Sequence, residues 1–317
     1  MRETGEAPAP SLTRRMRRAI GRIYRDLGPV EDACRDALRS LAFMTWRILV
    51  RFKLSRKAVL IMNCGEGGEI DGFYAQFTVI LGLLEHFENF GDVIAGVRVD
   101  FENRGLYYDA AFGSNSWEYY FETVDIGRDS DAAKRKIDIG QQYRFAARGE
   151  HMPRAKAFEL ITRHIHVKPH IHKIVDTFVS EHFEDFYLIG IHYRGTDKWK
   201  EAPRVPYEDL LDAVRNAIGA LQTDHYRLFV ASDEQAFVDY LATSFPDKVL
   251  CWETHRSVDG SPIDFIMGNN YKKGEDVIID CLLLSRCRFL IRTSSSLSLC
   301  STYFNPELPV ILLNQRH

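Results

Sequence analysis

The sequence predicts an α/β fold built on parallel sheets, and three observations carry that expectation. Between residues 58 and 317, short continuous apolar runs alternate with longer amphipathic segments. The runs are apolar on both faces, as strands covered by helices on both sides must be. Several of them end abruptly in clusters of polar and charged residues, and open parallel sheets bind ligands at the carboxyl ends of their strands. With 317 residues, 45% hydrophobic and 12% aromatic, the chain can build one large core or two small ones.

In chain order, residues 1–10 are rich in Pro, Ala, Gly and Glu and read as a disordered tail. Ser11 can cap a helix that follows. Its Leu12, Met16, Ile20, Ile23, Tyr24 and Leu27 share one face, and Arg14, Arg15, Arg17, Arg18, Arg22 and Arg25 share the other. A second basic, apolar segment runs over 37–57 and includes Trp46 and Phe52. Residues 1–60 hold 14 Lys/Arg against 6 Asp/Glu, although the whole chain carries −3. Two readings stand: a helical pair packed on the body with its arginines in water, or peripheral contact of residues 11–57 with an anionic membrane. The rest of the chain is acidic, which speaks against a nucleic-acid partner. No run approaches the roughly 20 apolar residues of a membrane span. The run from Leu41 to Val50 is short and contains Arg47. No secretory-signal pattern opens the chain. The six scattered cysteines form no Cys-x-x-Cys pair. The expectation is a cytoplasmic protein with reduced thiols, peripheral on the inner face of the cell membrane if the basic segment binds there.

Residues 58–64 (AVLIMNC) read as a buried strand, followed by a glycine-rich loop and a helix from about 72 to 87. Residues 93–101 read as another strand. The aromatic, polar stretch 102–150 gives no clear periodicity, and 169–185 reads as helix. The second half alternates cleanly. Strands are expected at 186–193, 227–232, 248–252, 289–293 and 309–313, and helices at 207–221, 234–245, 275–287 and 295–304. This divides the chain into a basic helical extension (1–57), a first α/β domain (58–165) and a second (166–317).

The chemistry concentrates at strand ends of the second half. FYLIGIHYRGTDK, residues 186–198, releases His192, Arg194, Thr196, Asp197 and Lys198 where a buried strand stops. Arg194 offers a planar fork suited to a diphosphate, and a fixed cation there stabilises a leaving group without a metal. RLFVASDE ends in Ser232, Asp233 and Glu234. Asp280 sits among apolar residues of a helix, where a carboxylate is costly to bury unless partnered. It can accept from a base or sugar, or pair structurally with Arg288 or Arg292. FLIRTSSSLS runs from a strand into Thr293, Ser294, Ser295 and Ser296. These serve either as an anion site at a helix N-terminus or as plain caps.

Taken together, IGIHYRGTDK, FVASDE and DCLLLSRCRFLIRTSSS, in this order and spacing, resemble the three donor-site motifs of the α1,6- and protein O-fucosyltransferase superfamily, which includes the rhizobial nodulation fucosyltransferases. The resemblance covers roughly residues 165–317. It implies a GT-B fold of two facing Rossmann-like domains and an inverting, metal-independent glycosyltransferase. The implied donor is GDP-fucose, with no further cofactor. A glycan acceptor, either a bacterial surface polysaccharide in polysaccharide biosynthesis or a lipid-linked glycan, fits the basic N-terminus and the missing secretion signal. By position, Arg194 resembles the arginine at the donor β-phosphate, His192 the histidine near the nucleoside and Asp280 the aspartate that reads guanine. Ser295 and Ser296 resemble the phosphate-contacting residues, and Asp233 and Glu234 the paired acids that support the site. The sequence departs from the pattern at Gly195, where several α1,6-type members carry a second arginine, and at Leu297, where some carry glutamine.

The loop NCGEGGEIDGFYAQ, residues 63–76, resembles the first glycine-rich loop of the protein O-fucosyltransferases. In some members a glutamate there is the catalytic base, since inversion needs a carboxylate that takes the acceptor's proton. Glu66 is the first candidate, then Glu69 and Asp71, while Glu201 competes because α1,6-type members place a glutamate soon after the arginine motif. Trp117 and Tyr120 are candidate platforms for acceptor sugar rings. Two other signals are discounted. His164, His166, His170 and His172 lack the spacing and acidic or thiol partners of a metal set. The Gly65–Gly68 loop fails the dinucleotide-binding pattern. Two alternatives remain: a GT-B enzyme using another nucleotide sugar, and a non-catalytic sugar-binding protein that kept the fold.

Overall fold

The structure, a computed structural model, describes residues 44–63, 72–102, 105–127, 135–139, 151–196, 203–221, 223–258 and 268–314. The chain divides after Lys57 into two units. The described part of the first is a helix over residues 44–51, closed by Trp46, whose Nε1 donates to the Arg56 carbonyl at 3.4 Å. Met44, Ile48 and Phe52 recur every fourth residue and stand 59%, 55% and 69% exposed. The segment 11–27 lies outside the described residues.

The second unit contains two sheets. The first has strands β1 (Ala58–Met62), β2 (Ile94–Val99), β3 (Asp125–Ile126) and β4 (Arg135–Ile139) in the order β3-β2-β1-β4. β1 runs parallel to β2 and β4, and β3 pairs antiparallel at the edge. All five residues of β1 are buried, which is why it reads as an unbroken apolar run. Helix α1 (Phe73–Asn89) follows β1. Helices α2 (Arg154–His164) and α3 (Pro169–His182) lead to the second sheet, α3 with proline in its first turn.

The second sheet is fully parallel, with strands β5 (Tyr187–Tyr193), β6 (Tyr226–Ser232), β7 (Val249–Leu250), β8 (Phe289–Arg292) and β9 (Val310–Leu312) in the order β7-β6-β5-β8-β9. Helices α4 (Tyr207–Gly219), α5 (Gln235–Ser244), α6 (Asn270–Ser285) and α7 (Ser296–Phe304) cross between them. The chain winds outward from β5 in one direction and then returns to its other side with β8. The topological switch point therefore lies between β5 and β8.

Three details differ from the sequence expectation. α6 begins at Asn270 rather than 275, because the Asn269 side chain accepts from the Lys272 N–H at 2.9 Å and caps it there. α2 was not expected. It buries only Ala157, Leu160 and Ile161 within a charged segment. The unassigned stretch holds strands β3 and β4 and two 3₁₀ turns, Ala110–Phe112 and Ser116–Tyr119, each turn capped by the side chain before it, Asp109 and Asn115.

The expectation of sugar-stacking aromatics is corrected. Trp117 and Tyr120 are fully buried. Trp117 stacks on Phe121 with ring centres 4.5 Å apart and donates Nε1–H to the Glu122 carbonyl at 3.1 Å. Tyr120 donates its hydroxyl to the Tyr271 carbonyl of α6 at 2.7 Å. A Cβ on Gly274, one turn along, would collide with the Tyr120 phenol. Both rings are core, joining the first sheet's surroundings to α6.

Candidate active site

Asp233 organises the carboxyl end of the second sheet. It follows β6 and is 5% exposed. Its Oδ1 accepts from the Gly195 N–H at 2.9 Å, and its Oδ2 accepts from the Thr196 hydroxyl at 2.6 Å and the Thr196 N–H at 3.4 Å. Oδ2 also pairs with Nε of Arg194 at 3.1 Å. A carboxylate this deep is tolerable only with such a donor set. The result is an arginine held along one edge at the end of β5. The Arg194 N–H in turn donates to Thr293 Oγ1 at 3.0 Å, which ties β5 to β8 across the switch point.

Glu234 is also buried and accepts from the Tyr207 hydroxyl at 2.6 Å and from Arg204 Nη2 at 3.2 Å. Burial and this carboxylate push the Tyr207 hydroxyl well above its ordinary range. A Cβ at position 195 would overlap the Glu234 carboxylate. That overlap is the physical reason for Gly195, where a larger residue stands in the resembling motif.

α6 carries two carboxylates one turn apart in contrasting states. Asp276 receives Trp252 Nε1–H at 2.9 Å, the Thr254 hydroxyl at 3.0 Å and Lys272 Nζ at 2.9 Å. Asp280 is 7% exposed, and its Oδ1 has no hydrogen-bond partner among the described residues. Burial pushes its carboxyl up to about 8, with Arg256 opposing and Asp276 reinforcing the rise. The structural alternative, pairing of Asp280 with Arg288 or Arg292, is not what the geometry shows. Arg292 Nη1 instead donates to the Ser295 carbonyl at 3.3 Å and Ser298 Oγ at 3.2 Å.

A cavity of about 80 Å³ gathers these groups. His192, Arg194 and Asp233 line it from the second sheet, Lys273, Asp276 and Asp280 from α6, and Tyr107 from the first half. Of the donor-site residues expected from sequence, His192, Arg194, Asp233 and Asp280 converge here. Thr293, Ser294, Ser295 and Ser296 are buried at the end of β8 beside it, but Leu297 of that segment reaches the lining instead. The Ser294 N–H is taken by Asn314 Oδ1 at 2.7 Å, and Ser295 makes no side-chain cap bond to α7. Glu66, Glu69, Asp71, Asp197, Lys198 and Glu201 lie outside the described residues. Sequence reading missed Tyr107, Thr254, His255, Lys273 and Asp276. Spacing from Asp280 could have found Lys273 and Asp276, since positions seven and four residues earlier share its helix face.

Among the described residues no group of three or more His, Cys, Asp or Glu is placed to hold a metal ion. His164 instead contacts Glu88 at 3.1 Å, and His170 the Tyr271 hydroxyl at 3.3 Å.

No family model matches the sequence. Nodulation protein Z of Bradyrhizobium diazoefficiens is 27% identical over 173 residues, 52% of this chain and 44% of that protein. The match thus spans less than half of the relative's length. The structure of NodZ α-1,6-fucosyltransferase soaked with GDP-fucose superposes with a TM-score of 0.53 at 17% identity, covering 83% of this chain and 99% of that one. The chain has the NodZ fold. An Arabidopsis thaliana FUT1 variant in complex with GDP gives a TM-score of 0.51 at 9% identity, over 82% of this chain and 70% of that one. The expected fold class, α/β of the GT-B type, is the observed one.

Proposed function

We propose that this protein is an inverting glycosyltransferase that moves fucose from GDP-fucose to a glycan acceptor. The observation that carries the reading is the pairing of opposites in one cavity: Arg194, fixed by Asp233, and Asp280, whose buried Oδ1 has no donor among the described residues. A buried acceptor without a partner awaits a ligand's N–H. Guanine presents two adjacent N–H donors on one edge, whereas uracil presents a single N–H between two carbonyls that a carboxylate repels. In this reading Asp280 takes the guanine edge, His192 lies by the nucleoside, and Arg194 faces the diphosphate whose charge grows as the glycosidic bond breaks. The segment Thr293–Ser296 borders the phosphates. The bond to the acceptor oxygen forms as the bond to GDP breaks, and a carboxylate accepts the acceptor's proton. Glu66 and Glu201 are the candidates for that base. Similarity to NodZ, solved with GDP-fucose, supports the donor assignment.

Calorimetric titration with GDP, UDP and GDP-fucose, with and without EDTA, tests this. GDP should bind more tightly than UDP, unaffected by EDTA. Arg194→Ala should weaken GDP binding and lower transfer about 10²–10³-fold. Preference for UDP, or wild-type transfer by Arg194→Ala, would sink the reading.

We also propose that the protein works at the cytoplasmic face of a membrane, on a lipid-linked or surface glycan. The support is the exposed Met44, Ile48 and Phe52 stripe interleaved with Arg47, Arg51 and Lys53. No described helix is long and apolar enough to cross a membrane. Full-length protein should co-sediment with anionic liposomes, and deletion of residues 1–57 should abolish it. Equal partitioning of the two would overturn the membrane proposal.

A further inference from the structure

Adjacent lysines on α6 have different fates. Lys272 is consumed: its Nζ pairs with Glu275 at 2.7 Å and Asp276 at 2.9 Å, and it sits 5.3 Å from the Trp252 ring centre. Lys273 lines the cavity. Its ammonium contacts the neutral Asn270 Oδ1 at 3.2 Å, and it makes no ion pair among the described residues. Lys273 is half-buried, and Asn270 Oδ1 is the one hydrogen-bond partner of its ammonium among the described residues, while an ammonium carries three donors.

Lys273, Asp276, Val277 and Asp280 recur at helical spacing along the face of α6 that borders the cavity. Lys273 and Asp280 are seven residues apart, about 10 Å along the axis. That is the reach from the hydrogen-bonding edge of a purine, past the ribose, to its phosphates. Lys273 and Arg194 line the same small cavity, one from α6 and one from the end of β5.

We propose that Lys273 is a second phosphate-binding cation of the donor site, selecting a nucleoside diphosphate over the bare nucleoside. The proposal rests on the reading of this cavity as a guanine-nucleotide site. It adds a residue that the three sequence motifs do not contain. Arg194, gripped at Nε, supplies a fixed fork, and Lys273 supplies a mobile point charge on a flexible stem.

The test measures dissociation constants of guanosine, GMP and GDP for wild type, Lys273→Met and Lys273→Arg. Methionine keeps the stem and removes the charge. Lys273→Met should weaken GDP about tenfold or more, in line with a charge-assisted hydrogen bond. GMP should weaken by no more than that, and guanosine should be unchanged. Lys273→Arg should restore GDP binding to within a few-fold. Equal weakening of guanosine and GDP, or no weakening of GDP, would overturn the phosphate role while leaving the guanine reading intact. Failure of the wild type to bind any of the three would overturn both.

Discussion

At the amino ends of β5, β8 and β9 the surface opens into a groove of about 1070 Å³, bordered by Glu184, His225, Arg286, Arg288 and Glu307. At the carboxyl ends of β5 and β6 the cavity holds only about 80 Å³. Size favours the first, chemistry the second. The groove's charges are those of an ordinary surface: Arg286 reaches Asp176 at 3.3 Å with both partners about half exposed, and such pairs add little stability. The cavity instead holds an arginine fixed by a buried carboxylate, and a second buried carboxylate whose Oδ1 has no donor among the described residues. The comparison teaches that the functional end of a parallel sheet is marked by polar groups the fold buries at a cost, not by open volume.

Substitution of Asp233 should sharpen the contrast most. Asp233→Ala removes the acceptor for Gly195, Thr196 and Arg194 together. Transfer should fall at least about 10²-fold through kcat, and unfolding free energy should fall by about 3 kcal/mol, as for one partner of a buried pair. Denaturant melts beside kinetics check both. Loss of stability without loss of kcat would make Asp233 a purely structural residue.

A smaller effect is expected at Asp280, and it carries a pH signature. Its carboxyl is pushed up to about 8 by burial, so near neutral pH the empty site is largely protonated. Guanine's donors favour the charged form, so binding should release a proton. GDP affinity should rise as pH increases from 6 to 8, by up to about tenfold per unit, and then level off. Asp280→Asn should weaken GDP by about 10–100-fold and flatten that profile. The linkage to folding has the opposite slope. The folded carboxyl holds its proton more tightly than the free value of 3.8, so this group's stability contribution is full at low pH and declines as pH rises towards 8. Thermal melts from pH 5 to 8 should show Asp280→Asn losing that decline.

The smallest effect is expected at the groove. Arg288 is exposed and lines it. Arg288→Ala should change transfer and stability by no more than about 0.5 kcal/mol. A tenfold loss of transfer there would break the comparison and give the amino end a function.

The legibility of these regions in sequence follows from the same physics. His192, Arg194 and Asp233 stood out because a fully apolar run such as LIGI or LFV has no reason to end in charges, and the second sheet was readable strand by strand for the same reason. Asp280 stood out as an acid among Ile, Cys and Leu, though only the structure separates its Oδ1, without a donor among the described residues, from the three donors on Asp276. Lys273 was invisible, because a lysine beside another lysine on a polar helix start looks solvated until the cavity defines the face. Trp117 and Tyr120 were misread because aromatic and polar residues together suit a sugar platform and a core equally, and burial is a tertiary property. Residues 109–119 were opaque because 3₁₀ turns capped by Asp109 and Asn115 leave no period to detect.

The contact between Tyr120 and Gly274 limits how this protein can be recombined. Because the phenol occupies the space a side chain at 274 would need, and its hydroxyl bonds the backbone of α6, the portion bearing the first sheet is keyed to one helix of the second. A chimaera that grafts another first sheet and its surroundings onto the second sheet must therefore bring a matching phenol, or leave a socket in the wall of the helix that carries Asp280.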